Sequence, residues 1–396
     1  MDSAALSGVW TDLIGQEQVV ATLQRAVSAT ESDGSARAMT HAWLITGPPG
    51  SGRSNAARAF AAALQCRVGG CGECNACATA LAGSHPDVTV IRTEQLSIGV
   101  DQVRELVRRA AMSPTLGRFQ VLVVEDADRI TERGADALLK SIEEPPARTV
   151  WLLCAPNAED LVATVRSRCR RVELCTPSTA AITELLQRRD GIDEVTARFA
   201  ARVAQGHIGR ARALARSDAA RQRRAEVLAL PSTLTSLGAC LRAAGELVET
   251  ASADAAGVTA ELDRREREEL ERSLAGATGT GGGARNIKQR HAQAALRDLD
   301  EQQKARAKRL QRDSLDRVLT ELTSFYRDVL IVQTGAGADP INVEQFDQVE
   351  RIAAASTAES TIVRLDAILQ CRRALETNVT PVLAMESLLI SLSTTR

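Results

Sequence analysis

The chain has almost no aromatic side chains, three Trp, one Tyr and five Phe among 396 residues. Proteins that grip single-stranded nucleic acid regardless of sequence stack successive bases on aromatic platforms. This chain has little to stack on. Net charge is nearly absent as well: 49 Lys and Arg face 50 Asp and Glu, a balance of −1. No whole-chain field therefore draws it to DNA or anionic lipid. No stretch approaches the ~20 apolar residues that a spanning helix needs. The opening MDSAALSGVW has no basic start followed by an apolar run, so no secretion leader is expected. These absences predict a cytoplasmic protein with no membrane partner. Nucleic acid, if touched, is reached through phosphate contacts or through partner subunits.

What is present suits a folded chain of two or three domains. Nine cysteines in a reducing compartment point to thiols or metal ligands and not to disulfides. Residues 1–175 alternate strand-like and helical segments. His41–Thr46, Asp87–Ile91, Val121–Val124 and Val150–Cys154 read as strands. Continuous apolar runs such as Val121-Leu122-Val123-Val124 are typical of strands covered on both faces. Asn55–Leu64, Val100–Met112 and Ala135–Ile142 read as helices, the last stopped by Pro145-Pro146. This alternation predicts a parallel α/β sheet. Residues 176–225 read as a small helical lid, and 226–396 as an all-α domain. Leu315, Val318, Leu319, Leu322, Phe325, Tyr326, Val329 and Leu330 keep helical spacing and form one wide apolar stripe. Ala275–Gly283 reads as a flexible linker and Gly335–Pro340 as a second break.

Gly47-Pro48-Pro49-Gly50-Ser51-Gly52-Arg53-Ser54 sits between a strand and a helix. In a phosphate loop, small residues let backbone N–H groups wrap a phosphate, and the following helix adds its positive end. A Lys normally reaches the outer phosphates. Here Arg53 stands in its place, which keeps the charge on a bulkier planar fork. Ser54 keeps the hydroxyl for magnesium. A plain tight turn with no ligand is the competing reading. After the next apolar strand come Glu125 and Asp126, where phosphate-loop ATPases carry an Asp for magnesium and then a Glu. The order is reversed. Each reacting atom would be displaced by about 1 Å, enough to cost on the order of 100-fold in rate.

Cys66, Cys71, Cys74 and Cys77 follow directly, spaced C-x4-C-x2-C-x2-C with Gly69, Gly70 and Gly72 between them. Four soft ligands in so short a span predict a structural tetrahedral zinc site. An iron–sulfur cluster is the rival, but its motif continues C-x3-C-P, and residue 81 is Leu.

These pieces together resemble the AAA+ subunits of bacterial DNA polymerase III clamp loaders. The resemblance is carried by Trp10–Glu17, the phosphate loop, the cysteine knuckle placed just after it, Ala137–Pro146 and Ser167-Arg168-Cys169, with Asn378–Glu386 near the end. It is strong over roughly residues 8–215 and weak beyond, apart from that last segment. It implies a hetero-pentameric ring with ATP between neighbours, built with gamma/tau motor subunits and the delta subunit. The ring loads a sliding clamp on primed DNA. It further implies that Arg168 is an arginine finger reaching a neighbour's ATP, and that the helical C-terminal domain forms a collar. ATP or ADP with magnesium is the implied cofactor beside zinc.

Four departures from the motor subunits predict a member that does not itself hydrolyse ATP. They are Arg53, the reversed acids, Cys154-Ala155-Pro156 where motors carry a polar Thr, and Gly206-His207-Ile208-Gly209 where motors carry a sensor Arg. Arg210 is next door as a substitute. A hydrolysing motor of the same ring and a stand-alone zinc-containing nucleic-acid binder are the alternatives. The charged insertion near 260–312 is unlike the family pattern. Its Arg285–Arg312 part carries nine Lys or Arg against three acids, and reads as a solvated helix surface or an arm near DNA or a partner.

Overall fold

Three apolar runs, buried at every residue, make the middle of a parallel sheet. In chain order the strands are β1 Ala42–Thr46, β2 Val88–Ile91, β3 Gln120–Val124, β4 Thr149–Ala155 and β5 Arg170–Glu173. The computed structural model describes residues 6–30, 38–92, 97–275, 282–377 and 379–394. Two compact units make up the chain, Met1–Ser217 and Asp218–Arg396. The division falls inside the stretch expected to be a lid.

In the first unit the sheet order is β2-β3-β4-β1-β5, every pair parallel. Fully buried β1, β3 and β4 lie side by side, as unbroken hydrophobic strands must when both faces are covered. The helices are α1 Glu17–Ala29, α2 Arg53–Gln65, α3 Asn75–Ala82, α4 Val100–Ala110, α5 Glu132–Glu143 and α6 Ala163–Arg166. Residues of α1 and α2 pack with Trp43, Ile45, Val121 and Val123 on one face. Those of α4 and α5 pack with Leu44, Leu122, Val124 and Trp151 on the other. Helix α5 starts earlier than its apolar spacing suggests, because the Thr131 hydroxyl caps it by accepting from Gly134 N–H. The lid stretch supplies α7 Thr179–Asp190, α8 Glu194–Ala204 and α9 Ile208–Arg216.

Strand β5 is absent from the sequence reading, whose last strand is Val150–Cys154. Two arginines open it, and only Val172 of its four residues is buried. Arg170 is accommodated at this edge because its guanidinium stacks 5.0 Å from the Trp43 ring centre and donates to the Ala38 carbonyl at 2.6 Å.

The second unit is wholly helical among its described residues: α10 Asp218–Thr233, α11 Leu237–Ala275, α12 Gly282–Thr334, α13 Phe346–Ala355, α14 Ala358–Glu376 and α15 Pro381–Thr394. The expected stripe on α12 is its core. Leu315, Leu319, Leu322, Phe325, Tyr326 and Val329 are buried, and Val318 and Leu330 half-buried. The break at Gly335–Pro340 ends α12, and buried Asp328 fixes the chain's return by accepting from Ile341 N–H at 2.9 Å and Asn342 N–H at 2.7 Å.

The charged insertion is a pair of long helices cross-linked side by side. Arg306 of α12 bridges Asp263 at 2.8 Å and Glu266 at 2.7 Å on α11. Of the glycine-rich stretch expected to link them, residues 276–281 lie outside the described residues.

Candidate functional site

The carboxyl ends of β1, β3 and β4 bring the predicted loop, the acids and Cys154 to one edge of the sheet. In a doubly wound α/β domain this is where ligands bind. The loop is shaped by glycines in left-handed or extended positive-φ conformations, Gly50 at φ 80° and Gly52 at φ 97°. Gly52 is the residue before α2, so the helix N-terminus points its free N–H groups into the loop.

The loop's charged groups are already engaged within the chain. Arg53 turns back and donates from Nη1 to the Gly47 carbonyl at 2.7 Å. Glu125, at the end of β3 and nearly buried, accepts from Arg58 Nη2 at 2.8 Å and Nε at 3.1 Å. Arg58 stands on α2 one turn beyond Ser54. A residue at that spacing shares Ser54's face, and this is the signal by which the sequence announces a second arginine at the site. Asp126 follows half-buried on the turn. Burial and the neighbouring Asp126 charge raise the Asp128 carboxyl above the usual carboxylate range. Complete burial pushes the Cys154 thiol up to about 12, so the end of β4 offers a neutral, weakly polar group. The Ser51 hydroxyl is buried with no hydrogen-bond partner among the described residues.

The lid closes over this loop. Ile208 N–H donates to the Gly50 carbonyl at 3.2 Å. His207 lies against Gly50 so closely that a Cβ there would meet its ring at 2.2 Å. Its Nδ1 also caps α9 by accepting from Arg210 N–H at 3.1 Å. Arg53 Nη1 and Glu125 Oε1, two of the atoms that would meet a phosphate and a magnesium ion, are thus held by partners within the chain. The lid contact and the Arg58–Glu125 pair together hold the loop closed in this structure.

Cys66, Cys71, Cys74 and Cys77 converge as expected, their Sγ atoms all within 4.8 Å of one another. Cys66 lies 3.7 Å from Cys71 and 3.8 Å from Cys74. A tetrahedral site with Zn–S bonds of ~2.3 Å has S–S edges of roughly 3.8 Å, so the donor set is of the right size for a metal. Gly69, Gly70 and Gly72 all take positive φ, which makes the tight turns between ligands. Backbone N–H groups of Cys71 and Cys77 point at the sulfurs of Cys66 and Cys74. Burial opposes ionisation of Cys66, but backbone donors led by Cys71 outweigh it and bring its thiol down to about 6. Burial raises the Cys77 thiol. The knuckle packs on the N-terminal segment, where Val9 N–H donates to the Gly70 carbonyl at 3.1 Å.

Arg168 lies elsewhere on the same unit, just past α6 and exposed. Its guanidinium pairs with Glu143, the last residue of α5, at 2.5 Å. It also donates to the Thr164 carbonyl at 2.8 Å. The sequence quotes Glu143 within Ala137–Pro146 without a role. Nothing in its spacing reveals a partner 25 positions on.

A parallel five-stranded sheet carrying a phosphate-loop sequence between β1 and α2, with an all-helical unit after it, defines a P-loop α/β protein with a helical C-terminal unit. The family model described as "DNA polymerase III, delta subunit" matches residues 15–178, and "DNA polymerase III, delta subunit, C terminal" matches 293–394. The chain belongs to the delta-prime family of DNA polymerase III clamp-loader subunits. It is 41% identical over 154 residues to DNA polymerase III subunit delta' of Pseudomonas aeruginosa, covering 37% of this chain and 47% of that one. It is 36% identical over 184 residues to the delta' subunit of Escherichia coli, covering 45% of this chain and 55% of that one. The gamma/tau subunit of Mycobacterium bovis is also similar, at 34% identity over 164 residues, 40% of this chain and 27% of that one. The chain thus spans about half the length of the delta' relatives it matches. Among the described residues no helix is long and apolar enough to cross a membrane.

Proposed function

We propose that this chain is the non-hydrolysing ring member of a clamp loader, silent in its own phosphate loop and active through Arg168 on a neighbour's ATP. The observation that carries this reading is the Arg58–Glu125 pair. It neutralises, from inside the chain, the carboxylate that a motor would give to magnesium. Arg168, in contrast, is at the surface. A finger there would stabilise charge developing on the transferred phosphoryl group, an effect worth about 10³–10⁵ in rate at the site served.

On this reading the partners are gamma/tau motors and the delta subunit in a five-membered ring, acting in the cytoplasm to place a sliding clamp on primed DNA. Residues 1–175 form the nucleotide-binding-like domain, 176–225 a lid and 226–396 the collar. The four cysteines hold one structural zinc. With four protein ligands it has no open position for chemistry.

The gamma/tau similarity supports one other reading, a hydrolysing motor. Two measurements separate them. The isolated chain should show no sustained ATP turnover, and Arg168→Ala should lower both ATPase and clamp loading by the reconstituted complex. Turnover by the isolated chain that Glu125→Ala abolishes would establish the motor instead.

A further inference from the structure

Arg168 is exposed, but its guanidinium is held against its own chain. Its Nη2 is on Glu143 Oε1 at 2.5 Å, and its Nη1 is shared between the Thr164 carbonyl at 2.8 Å and the Ser167 hydroxyl at 3.3 Å. Both terminal nitrogens, the fork that grips a phosphoryl group, are therefore committed within the chain. Glu143 is well placed to hold them. It ends α5, and after the cap residue Glu144 come Pro145-Pro146, so no continuing helix carries the chain past it. The carbonyl end of α5 adds partial negative charge on the same side.

We infer that Glu143 is a positioning residue that parks Arg168 in the unengaged subunit and yields it to the phosphates of a triphosphate on the adjoining subunit. The inference rests on the finger role proposed above. Both partners are substantially exposed, 39% for Arg168 and 44% for Glu143. A pair so exposed is weak and exchangeable. It biases the arginine between two places without locking it, and a competing polyanion draws it out. A parked finger lowers apparent affinity in proportion to the fraction of subunits in which it is available.

The test uses the complex reconstituted from this chain with its motor and delta partners, with ATPase followed against ATP concentration. Glu143→Gln should lower the half-saturating ATP concentration by about two- to fivefold, the range an exposed pair allows, and leave kcat unchanged. Glu143→Asp should restore wild-type values, which a merely structural role would not require. In an Arg168→Ala background Glu143→Gln should have no further effect. An unchanged half-saturation in Glu143→Gln, or a fall in its kcat, would overturn the parking role even where Arg168→Ala still depresses the rate. A normal rate for Arg168→Ala would overturn the finger role itself, so the two failures are distinguishable.

Discussion

His207 of the lid and Gly50 of the phosphate loop are in contact so close that no side chain fits between them. A Cβ on Gly50 would stand 2.2 Å from the His207 ring, and Gly50 holds φ at 80°. The lid helix α9 begins at this contact, its first N–H bonded to the Gly50 carbonyl. Closure of the loop is therefore a packing relationship between two segments 157 positions apart, backed by the ion pair of Arg58 with Glu125 beneath.

Gly50→Ala is accordingly expected to destabilise the first unit by two routes. A non-glycine residue at this φ costs about 1–3 kcal/mol, and the methyl must displace the imidazole. His207→Ala alone should lose the α9 cap, on the order of 1 kcal/mol. The double variant should be more stable than the sum of the two, because removing the ring removes the clash. Thermal melts of the four proteins measure that coupling. Strict additivity would mean that the lid does not rest on the loop.

Arg58→Ala leaves the Glu125 carboxylate nearly buried with its charge uncompensated. The expected loss is about 1–3 kcal/mol, seen as a lower denaturation midpoint with unchanged slope. Arg58→Ala with Glu125→Gln should recover part of it, since no charge is then stranded. If Arg58→Ala alone melts like the wild type, Glu125 has another partner and the loop is not neutralised in this way.

How far the sequence reveals all this follows from the range of each interaction. The convergence of the four cysteines is legible, since they and the turn glycines between them lie within one short span. The loop Gly47–Ser54 and the apolar strands β1, β3 and β4 are legible for the same reason. Strand β5 is not. Its two arginines mask the pattern, and what admits Arg170 to the sheet edge is Trp43, 127 positions earlier. Arg58 is half-legible, one turn from Ser54, but its partner Glu125 is set by the sheet. Glu143 is named by the sequence and explained only by the fold. The insertion at 260–312 shows its charge but not its pairing, because Arg306 finds Asp263 and Glu266 only when α11 and α12 run side by side.

The purified chain should carry one zinc per molecule by elemental analysis. Cys74→Ser with Cys77→Ser should remove it, and a strong chelator should lower the melting temperature of the wild type but not of that variant. Because Cys66 caps the C-terminal end of α2 and the knuckle is bonded to Val9, the loss should be felt in the α/β unit as a whole. Metal affinity should also weaken with acid, since the thiols must be deprotonated to bind. Iron, or no metal in protein purified without chelator, would refute the assignment.

Asp190 gives the pH dependence a definite sign. It ends α7, its side chain is fully buried, and it accepts from Arg212 Nε at 2.7 Å and Nη2 at 2.6 Å, and from Arg216 at 2.7 Å. Hydrogen bonding by Arg212, helped by the charges of Arg212 and Arg216, holds its carboxyl below the usual range. A group depressed in the folded state contributes stability above its unfolded pKa, ~3.9, and that contribution fades as pH falls toward the folded value. Asp190→Asn should therefore cost about 2 kcal/mol at pH 7. The gap between wild type and variant should narrow steadily from pH 5 to pH 3, as followed by urea denaturation. A gap that stays constant or widens in acid would show that Asp190 is not held as a carboxylate between α7 and α9.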